Sequence, residues 1–151
     1  MEALMLFVLW IQPNLKHDAT CMMENIYYEA EGEPLLGKLY VGFVTANRVS
    51  DRDFPNDVCG VVYEDRAFSW TRAPKREIDY ESHAWKETVF AAFLALHKDA
   101  IDLTCGALFF LNEETVGAER VARFEKGFLK GLDKEKLFNH TFYGGNCGYR
   151  A

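Results

Sequence analysis

A helix that stops at a glycine–proline break is the feature that most restricts how this chain can fold. After Asp18, a suitable N-cap, apolar residues recur at the i, i+3, i+4 and i+7 spacing of one helix face. These residues are Ala19, Met22, Met23, Ile26, Tyr27 and Ala30. Gly32 can adopt the left-handed conformation that ends a helix, and Pro34 prevents continuation. The pattern predicts an amphipathic helix packed on a core and followed by a sharp turn.

Further helices are predicted on both sides of a turn-rich middle segment. Leu35–Val49 forms one helix, in which Gly37 and Gly42 lower the helix propensity but let another backbone approach closely. Residues 80–97 form another helix, and 115–132 form a weaker one interrupted by glycines.

Three short segments predict β-structure. They are "VCGVVY" at 58–63, "GALFFLN" at 106–112 and the alternating "LFNHTFYGG" at 137–145, which we expect to be a final strand. Helices with a few short strands predict a predominantly helical α+β domain.

The length of 151 residues suits a single domain, preceded by a short apolar stretch. "ALMLFVLWI" is too short to cross a bilayer as a helix. It could be the core of a signal peptide, but Glu2 stands where a basic region is expected and no small-x-small cleavage site follows. We therefore predict an apolar lead segment at 1–16 packed on a domain at 17–151, no convincing export signal and no stable membrane insertion.

Cysteine spacing and net charge limit the ligands that the sequence predicts. Cys21, Cys59, Cys105 and Cys147 form no CxxC pair and no zinc-finger spacing, so we predict no metal site and no cofactor. Three disulfide pairings are open in an oxidising compartment, but a core of this size does not need them, and we predict four buried thiols in a reducing cytosol. The net charge of -6, without a basic stripe, argues against nucleic acid as a partner.

Glu29 is the candidate catalytic residue. It lies three residues after Ile26 and seven after Met22, so it borders the apolar face near the helix C-terminus. Burial and the helix dipole both raise its pKa and favour the protonated form, as a general acid that protonates a glycosidic oxygen requires. The alternative is a boundary glutamate that reaches water or pairs with a lysine or arginine. Glu31 falls on the solvated face, and Glu33, beyond the helix end, could bind substrate or orient a loop.

Several short motifs follow one another along the chain. They lie at 26–33, Gly37, 47–49, 54–55, 60–62, 68–70, 106–112 and 139–143. In this order they resemble the SleB-type cell-wall hydrolases of spore-cortex-lytic enzymes and phage lysins, whose pattern is approximately IYxEARGE, a glycine, NRV, FPxxxxGVV, an aromatic-Ser/Thr segment, GALYYxN and NHxFY. The resemblance implies a lysozyme-like domain that cleaves the β-1,4 bond between N-acetylmuramic acid and N-acetylglucosamine in peptidoglycan, with Glu29 as the catalytic glutamate.

This sequence departs from the family pattern in two places. Glu31 stands where the family has arginine, so the role of that positive charge is lost or moved. The stretch 113–136 fits the pattern poorly, which predicts a different wall on one side of the substrate groove.

The resemblance implies a lytic transglycosylase in which Glu29 acts first as acid and then as base, and the muramyl 6-hydroxyl closes a 1,6-anhydro ring. The alternative is a hydrolysing muramidase, which needs a second carboxylate. Candidates for this second group are Glu33, Asp51, Asp57 and Glu64. An alternative of another class is a non-catalytic wall-binding module or a virion structural component.

The predicted substrate-binding residues carry aromatic faces or polar groups that suit sugars. They are Tyr28, Glu33, Phe68, Ser69, Trp70, Asn112, His140 and Tyr143. For Phe68 and Trp70 an ordinary core position is the alternative, and for His140 a structural histidine is. Phe93, Phe109 and Phe110 are assigned to the core.

The predicted setting is a phage endolysin made in the cytoplasm of a bacterial host and acting on the cell wall or periplasm. This expectation rests on a single catalytic module without an obvious wall-binding domain. We expect a monomer that binds peptidoglycan glycan strands and is released by a holin-like partner.

Overall fold

The computed structural model describes residues 13–148, which form six α-helices, a short 3₁₀ helix and three strands. The helices are α1 (Pro13–Ala30), α2 (Leu35–Ser50), α3 (Val58–Tyr63), α4 (His83–Leu96), α5 (Glu113–Val116) and α6 (Ala118–Lys126), and the 3₁₀ helix covers Ser69–Arg72. The strands are β1 (Phe109–Leu111), β2 (Lys134–Leu137) and β3 (His140–Tyr143). The prediction of a predominantly helical α+β domain is confirmed. Of the predicted lead segment 1–16, residues 1–12 lie outside the described residues.

Helices α1, α2 and α4 pack against one another and form the core. A Cβ atom at Gly42 would lie 2.9 Å from the Cβ of Ala95 and 3.1 Å from the Cδ1 of Ile26, so this glycine allows the close approach that the sequence predicts. The fully buried side chains at the centre are Met22, Ile26, Val41, Val44, Ala91 and Ala92. None of the helices within residues 13–148 has the length and apolarity needed to span a membrane.

The three strands form an antiparallel sheet in the order β1–β3–β2. Phe110 of β1 pairs with Phe142, and Leu137 of β2 pairs with His140. The central strand β3 is buried along its whole length. The single final strand predicted for 137–145 is therefore a hairpin, and Phe138, with φ of 54°, lies in its turn.

Three local predictions differ from the structure. The first is wrong because a helix cap and core packing override strand propensity. The segment "VCGVVY" forms the helix α3 instead of a strand. The Asp57 side chain caps this helix by accepting a hydrogen bond from the Gly60 backbone N–H at 2.7 Å, and the valines of the segment pack into the core. Helix α1 begins at Pro13, five residues before the predicted cap at Asp18, since proline suits the first turn of a helix. Phe93, assigned to the core, is 46% exposed on α4.

All four cysteines are bonded, so the prediction of free thiols is wrong. Cys21 in α1 bonds Cys59 in α3, and Cys105 bonds Cys147 near the end of the described chain. The partners are 38 and 42 residues apart in sequence. The tertiary fold brings them together, which spacing alone does not reveal.

Candidate active site

The turn after α1 fixes the position of Glu33 beside the helix end. Helix α1 ends at Ala30, whose carbonyl accepts a hydrogen bond from the Glu33 amide at 3.0 Å. A Cβ atom at Gly37 would lie 2.9 Å from the Cβ of Glu33, so only glycine lets this glutamate lie flat against α2. The Glu33 residue is 5% exposed. The glycine–proline break therefore buries a carboxylate next to the helix that carries Glu29.

A buried lysine holds this turn from behind. The Lys38 side chain is 1% exposed, and its Nζ donates to the carbonyls of Glu31, at 3.1 Å, and of Glu33. It also pairs with Oε2 of Glu87 on α4 at 3.0 Å. Lys38 was not predicted from the sequence, although a lysine inside the apolar run "LLGKLYVGF" is a signal that it needs a buried partner.

A cleft of about 250 Å³, here called the polar cleft, opens beside the end of α1. It brings together the α1 end, the start of α5 and the β2–β3 turn. Its polar lining consists of Glu29, Glu33, Asn112, Thr115, Asn139 and His140. Of these, Glu29, Glu33, Asn112 and His140 belong to the predicted site, whereas Thr115 and Asn139 were missed.

Glu29 lies half-buried in the polar cleft, and no hydrogen bond or salt bridge from any residue in 13–148 engages its carboxyl group. Burial raises the pKa of Glu29 from the ordinary 4.5 to about 7, and the positive charge of Arg48, which lowers the pKa, offsets this only in part. At neutral pH a large fraction of Glu29 is therefore protonated and free to donate to a ligand.

Glu33 and His140 contact each other in the wall of the polar cleft. The Nδ1 atom of His140 lies 3.2 Å from Oε1 of Glu33 but without the alignment of a hydrogen bond. The backbone N–H of Asn139 donates to Oε1 of Glu33 at 3.3 Å, while Oε2 of Glu33 is buried without a partner among the described residues. Burial lowers the pKa of His140, although the Glu33 charge opposes this shift. Asn112 caps α5 by accepting from the Thr115 amide at 3.1 Å.

A second cleft, of about 260 Å³ and here called the aromatic cleft, adjoins the polar one through Phe110, whose ring contacts His140 edge-on at 5.2 Å. Its lining includes Arg48, Phe54, Glu64, Phe109, Phe110 and Phe128. Arg48 donates through Nε to the Leu108 carbonyl at 2.7 Å and lies 5.2–5.6 Å from three phenylalanine ring centres. Burial lowers the pKa of Arg48 to about 10, and the negative charges of Glu64 and Glu29 oppose this shift. Arg48 therefore remains charged at neutral pH.

The other predicted binding residues lie away from the polar cleft. Phe68, Trp70 and Tyr143 are only 4%, 8% and 1% exposed, and Trp70 donates to Oδ1 of Asn25 at 2.9 Å within the core. Tyr28 stacks on Trp70 at 4.8 Å and donates to a backbone carbonyl at 2.7 Å. Ser69 is exposed at the start of the 3₁₀ helix. The site that the structure assembles therefore contains polar groups rather than these aromatic rings.

The glutamate at the family's arginine position has a partner of its own. Glu31 pairs with Arg76 at 2.8 Å and accepts from the Tyr27 hydroxyl at 3.0 Å. A positive charge is thus present beside position 31, but it comes from the loop before α4.

Glu29, Glu33 and His140 of the polar cleft do not bring three ligand atoms within 4.8 Å of one another. Within the described part of the chain, the one cluster of three ligand-forming histidine, cysteine or acidic side chains is His17, Cys21 and Cys59, whose cysteines are bonded to each other.

Comparison with known proteins identifies the family. The model of the family described as Cell Wall Hydrolase matches residues 32–143, a stretch that contains Glu33 and His140 and begins just after Glu29. A spore cortex-lytic enzyme from Bacillus cereus is 38% identical over 103 residues, which are 66% of this chain and 36% of that protein. The chain thus spans about a third of the length of this curated relative.

Two solved structures share the fold. The catalytic domain of the Bacillus cereus SleB protein has a TM-score of 0.61 and 27% identity, over 85% of this chain and 90% of that one. The catalytic domain of the germination-specific lytic transglycosylase SleB from Bacillus anthracis has a TM-score of 0.59 and 28% identity, over 83% and 93% of the two chains. The predicted lysozyme-like fold is confirmed, and this chain belongs to the cell wall hydrolase family.

Proposed function

We propose that this chain cleaves the β-1,4 bond between N-acetylmuramic acid and N-acetylglucosamine in peptidoglycan, as a lytic transglycosylase. The observation that carries the proposal is Glu29, an acid without a protein partner in 13–148 that opens on a cleft and has a pKa of about 7. Family membership and the lytic transglycosylase activity in the name of the Bacillus anthracis relative support it.

Glu29 acts twice in the proposed reaction. Its carboxylic acid donates a proton to the glycosidic oxygen as the bond from C1 of the muramyl sugar to that oxygen breaks. The carboxylate then takes the proton of the muramyl 6-hydroxyl, whose oxygen bonds C1 and closes the 1,6-anhydro ring. Glu29 ends protonated as it began, and no water is consumed. The charge of Arg48 stabilises the carboxylate between the two steps.

The remaining polar groups of the cleft bind the glycan. Glu33 lines this cleft, and its charge, together with the His140 ring 3.2 Å away, orients a sugar hydroxyl or N-acetyl group in the proposed complex. Asn112 and His140 lie in the same cleft, within reach of neighbouring sugar groups. This assignment requires no stacking of the sugar on Phe68, Trp70 or Tyr143.

A hydrolysing muramidase is the second candidate, favoured by the presence of Glu33 in the same cleft as Glu29. In that reaction Glu33 activates a water molecule opposite the acid, as inverting glycosidases do with their second carboxylate. The product then has a reducing end instead of an anhydro ring.

Digestion of purified peptidoglycan by the wild type and two variants tests the role of Glu29 as the acid. Glu29→Gln should reduce the rate by about 10²–10⁴-fold, the usual contribution of general acid–base catalysis. Glu24→Gln is the matched control, since it makes the same change on the same helix at a residue that pairs with Lys75 outside the polar cleft. Wild-type rates in Glu29→Gln would exclude the acid assignment.

Mass spectrometry of the released fragments separates the two reactions. Anhydro ends from the wild type, with reduced but measurable cleavage in Glu33→Gln, support transglycosylation. Reducing ends, together with loss of cleavage in Glu33→Gln, would establish hydrolysis. If the wild type sediments with walls but releases nothing, it is a binding module or a structural component.

Action on the cell wall follows from this function, and the biological setting stays a prediction. A phage endolysin should lyse bacteria from the cytoplasm only when it is expressed with a holin. Lysis without one would contradict a holin-like release partner.

A further inference from the structure

A histidine lies against one of the two disulfides, on the face of α1 that meets α3. His17 and Cys21 are four residues apart on α1, so their side chains share one face. The Nδ1 atom of His17 lies 3.3 Å from Sγ of Cys59, which is bonded to Cys21. One ligand atom from each of the three side chains falls within 4.8 Å of the others.

The second disulfide has no comparable surroundings. Among the described residues, no histidine or carboxylate joins Cys105 and Cys147 in a cluster of three potential ligands. The two pairs therefore offer a comparison within one molecule.

We infer that His17, Cys21 and Cys59 bind a zinc ion when the Cys21–Cys59 bond is reduced. Two thiolates and an imidazole are preferred zinc ligands, and tetrahedral zinc places such atoms roughly 3.5–3.8 Å apart. The Cα atoms of the two cysteines are 5.3 Å apart, so rotation of the side chains suffices to separate the sulfurs to that distance. His17 is exposed, which leaves the fourth zinc position to water.

Zinc and the disulfide exclude each other. Reduction by two small thiols yields two cysteine thiols and one small-molecule disulfide, and binding of Zn²⁺ then displaces one proton from each cysteine. Oxidation by a small-molecule disulfide takes two electrons from the two thiolates, restores the Cys21–Cys59 bond, and releases Zn²⁺ and two small thiolates. The site contains no residue of the polar cleft and does not depend on the proposed function.

The test uses the full chain, reduced and desalted without oxygen, and the metal ions alone as probes. Titration with Co²⁺ should give a thiolate-to-cobalt absorption band at one equivalent, which Zn²⁺ then abolishes. Alkylation followed by mass spectrometry should show Zn²⁺ protecting Cys21 and Cys59 but not Cys105 or Cys147. Equal protection of all four cysteines, or none, would overturn the inference.

Variants identify the ligands. Replacement of Cys105 and Cys147 by alanine should leave Co²⁺ binding intact, whereas replacement of Cys21 and Cys59 should abolish it. His17→Gln keeps both thiols and the ability to form the disulfide, and should weaken binding by more than about tenfold, because even the loss of a group that only hydrogen-bonds a metal ligand costs about 10–100-fold. Unchanged affinity in His17→Gln, or loss of the helical circular-dichroism signal in the reduced zinc-bound protein, would contradict a folded three-ligand site.

Discussion

The polar and aromatic clefts adjoin each other, yet each is built on a different buried cation of the same helix. Lys38, behind the polar cleft, has its charge matched by Glu87 and two carbonyl groups in direct contact. Arg48, in the aromatic cleft, has one carbonyl and three phenylalanine rings, and within 13–148 no carboxylate lies at salt-bridge distance from it.

Because their partners differ, Lys38 and Arg48 have different roles. The lysine is matched locally and holds the turn that carries Glu33, and it is not among the groups that shift the pKa of Glu29. The arginine acts at a distance, because a charge without an ion-pair partner in a low-dielectric setting is felt by Glu29. Lys38 therefore fixes the shape of the turn beside the polar cleft, and Arg48 contributes to the electrostatic potential at Glu29.

The largest expected effect comes from removing the lysine. Lys38→Met leaves Oε2 of Glu87 and two carbonyls without their donor, and should lower the free energy of unfolding by about 3–5 kcal/mol, as for other broken buried pairs. Urea unfolding followed by circular dichroism measures it. Lys86→Met on the exposed side of α4 is the control and should stay within about 0.5 kcal/mol of the wild type. Equal effects in the two variants would show that Lys38 does not hold the turn.

Burial of Glu29 should appear as a pH-dependent cost in stability. The pKa is raised in the folded state, so below the ordinary glutamate pKa the acid costs nothing, and the cost grows as pH rises towards about 7. Glu29→Gln removes this cost. The unfolding free energy of Glu29→Gln minus that of the wild type should therefore be about 1–3 kcal/mol larger at alkaline pH than at acidic pH. Urea unfolding at several pH values checks this. A constant difference across that range would mean that the carboxyl group is solvated.

Removing the arginine charge should move the pH profile of activity. Arg48→Met takes away the charge that lowers the Glu29 pKa, so the alkaline limb of kcat/KM should shift to higher pH. Arg48→Lys keeps the charge and should leave the limb in place. An unshifted limb in Arg48→Met would indicate that the two clefts are electrostatically independent.

The smallest effect is expected at the rim of the aromatic cleft. Phe128 is 60% exposed and contacts Phe109 and Phe124, so Phe128→Ala should leave the alkaline limb unchanged and cost less than about 1 kcal/mol in stability. The same pH profile and urea titration measure both. A shifted limb here would show that the aromatic rings, and not only Arg48, set the pKa of Glu29.

Local sequence pattern predicted the position of Glu29 because a helix face and its end are encoded within a dozen residues. The contact between Glu33 and His140 joins residues that are far apart in the sequence, so no local pattern contains it. The order of the motifs predicted both Glu33 and His140 as site residues, but it did not predict that their side chains contact each other. The His17 cluster was missed for the same reason, since Cys59 joins it only through the packing of α3 on α1.

The predicted sugar-binding role of the aromatic residues stays a prediction, and the structure places Phe68, Trp70 and Tyr143 in the core. A ring that stacks on a sugar and one that fills a core have the same composition and spacing, and only packing distinguishes them. Trp70 shows this, because its indole N–H is satisfied by the buried Asn25, a residue that also donates to Thr45 at 3.1 Å. Lys38 shows the converse, since a lysine in a helix ordinarily indicates a solvated face.

Titration of the Glu29 side-chain carboxyl carbon by NMR measures the protonation on which the proposed acid role of this residue depends. The resonance is assigned by its absence from Glu29→Gln and is followed in the free protein. We predict a midpoint near 7, well above that of an exposed glutamate. A midpoint near 4.5 would mean that Glu29 is ionised at neutral pH and cannot serve as the general acid.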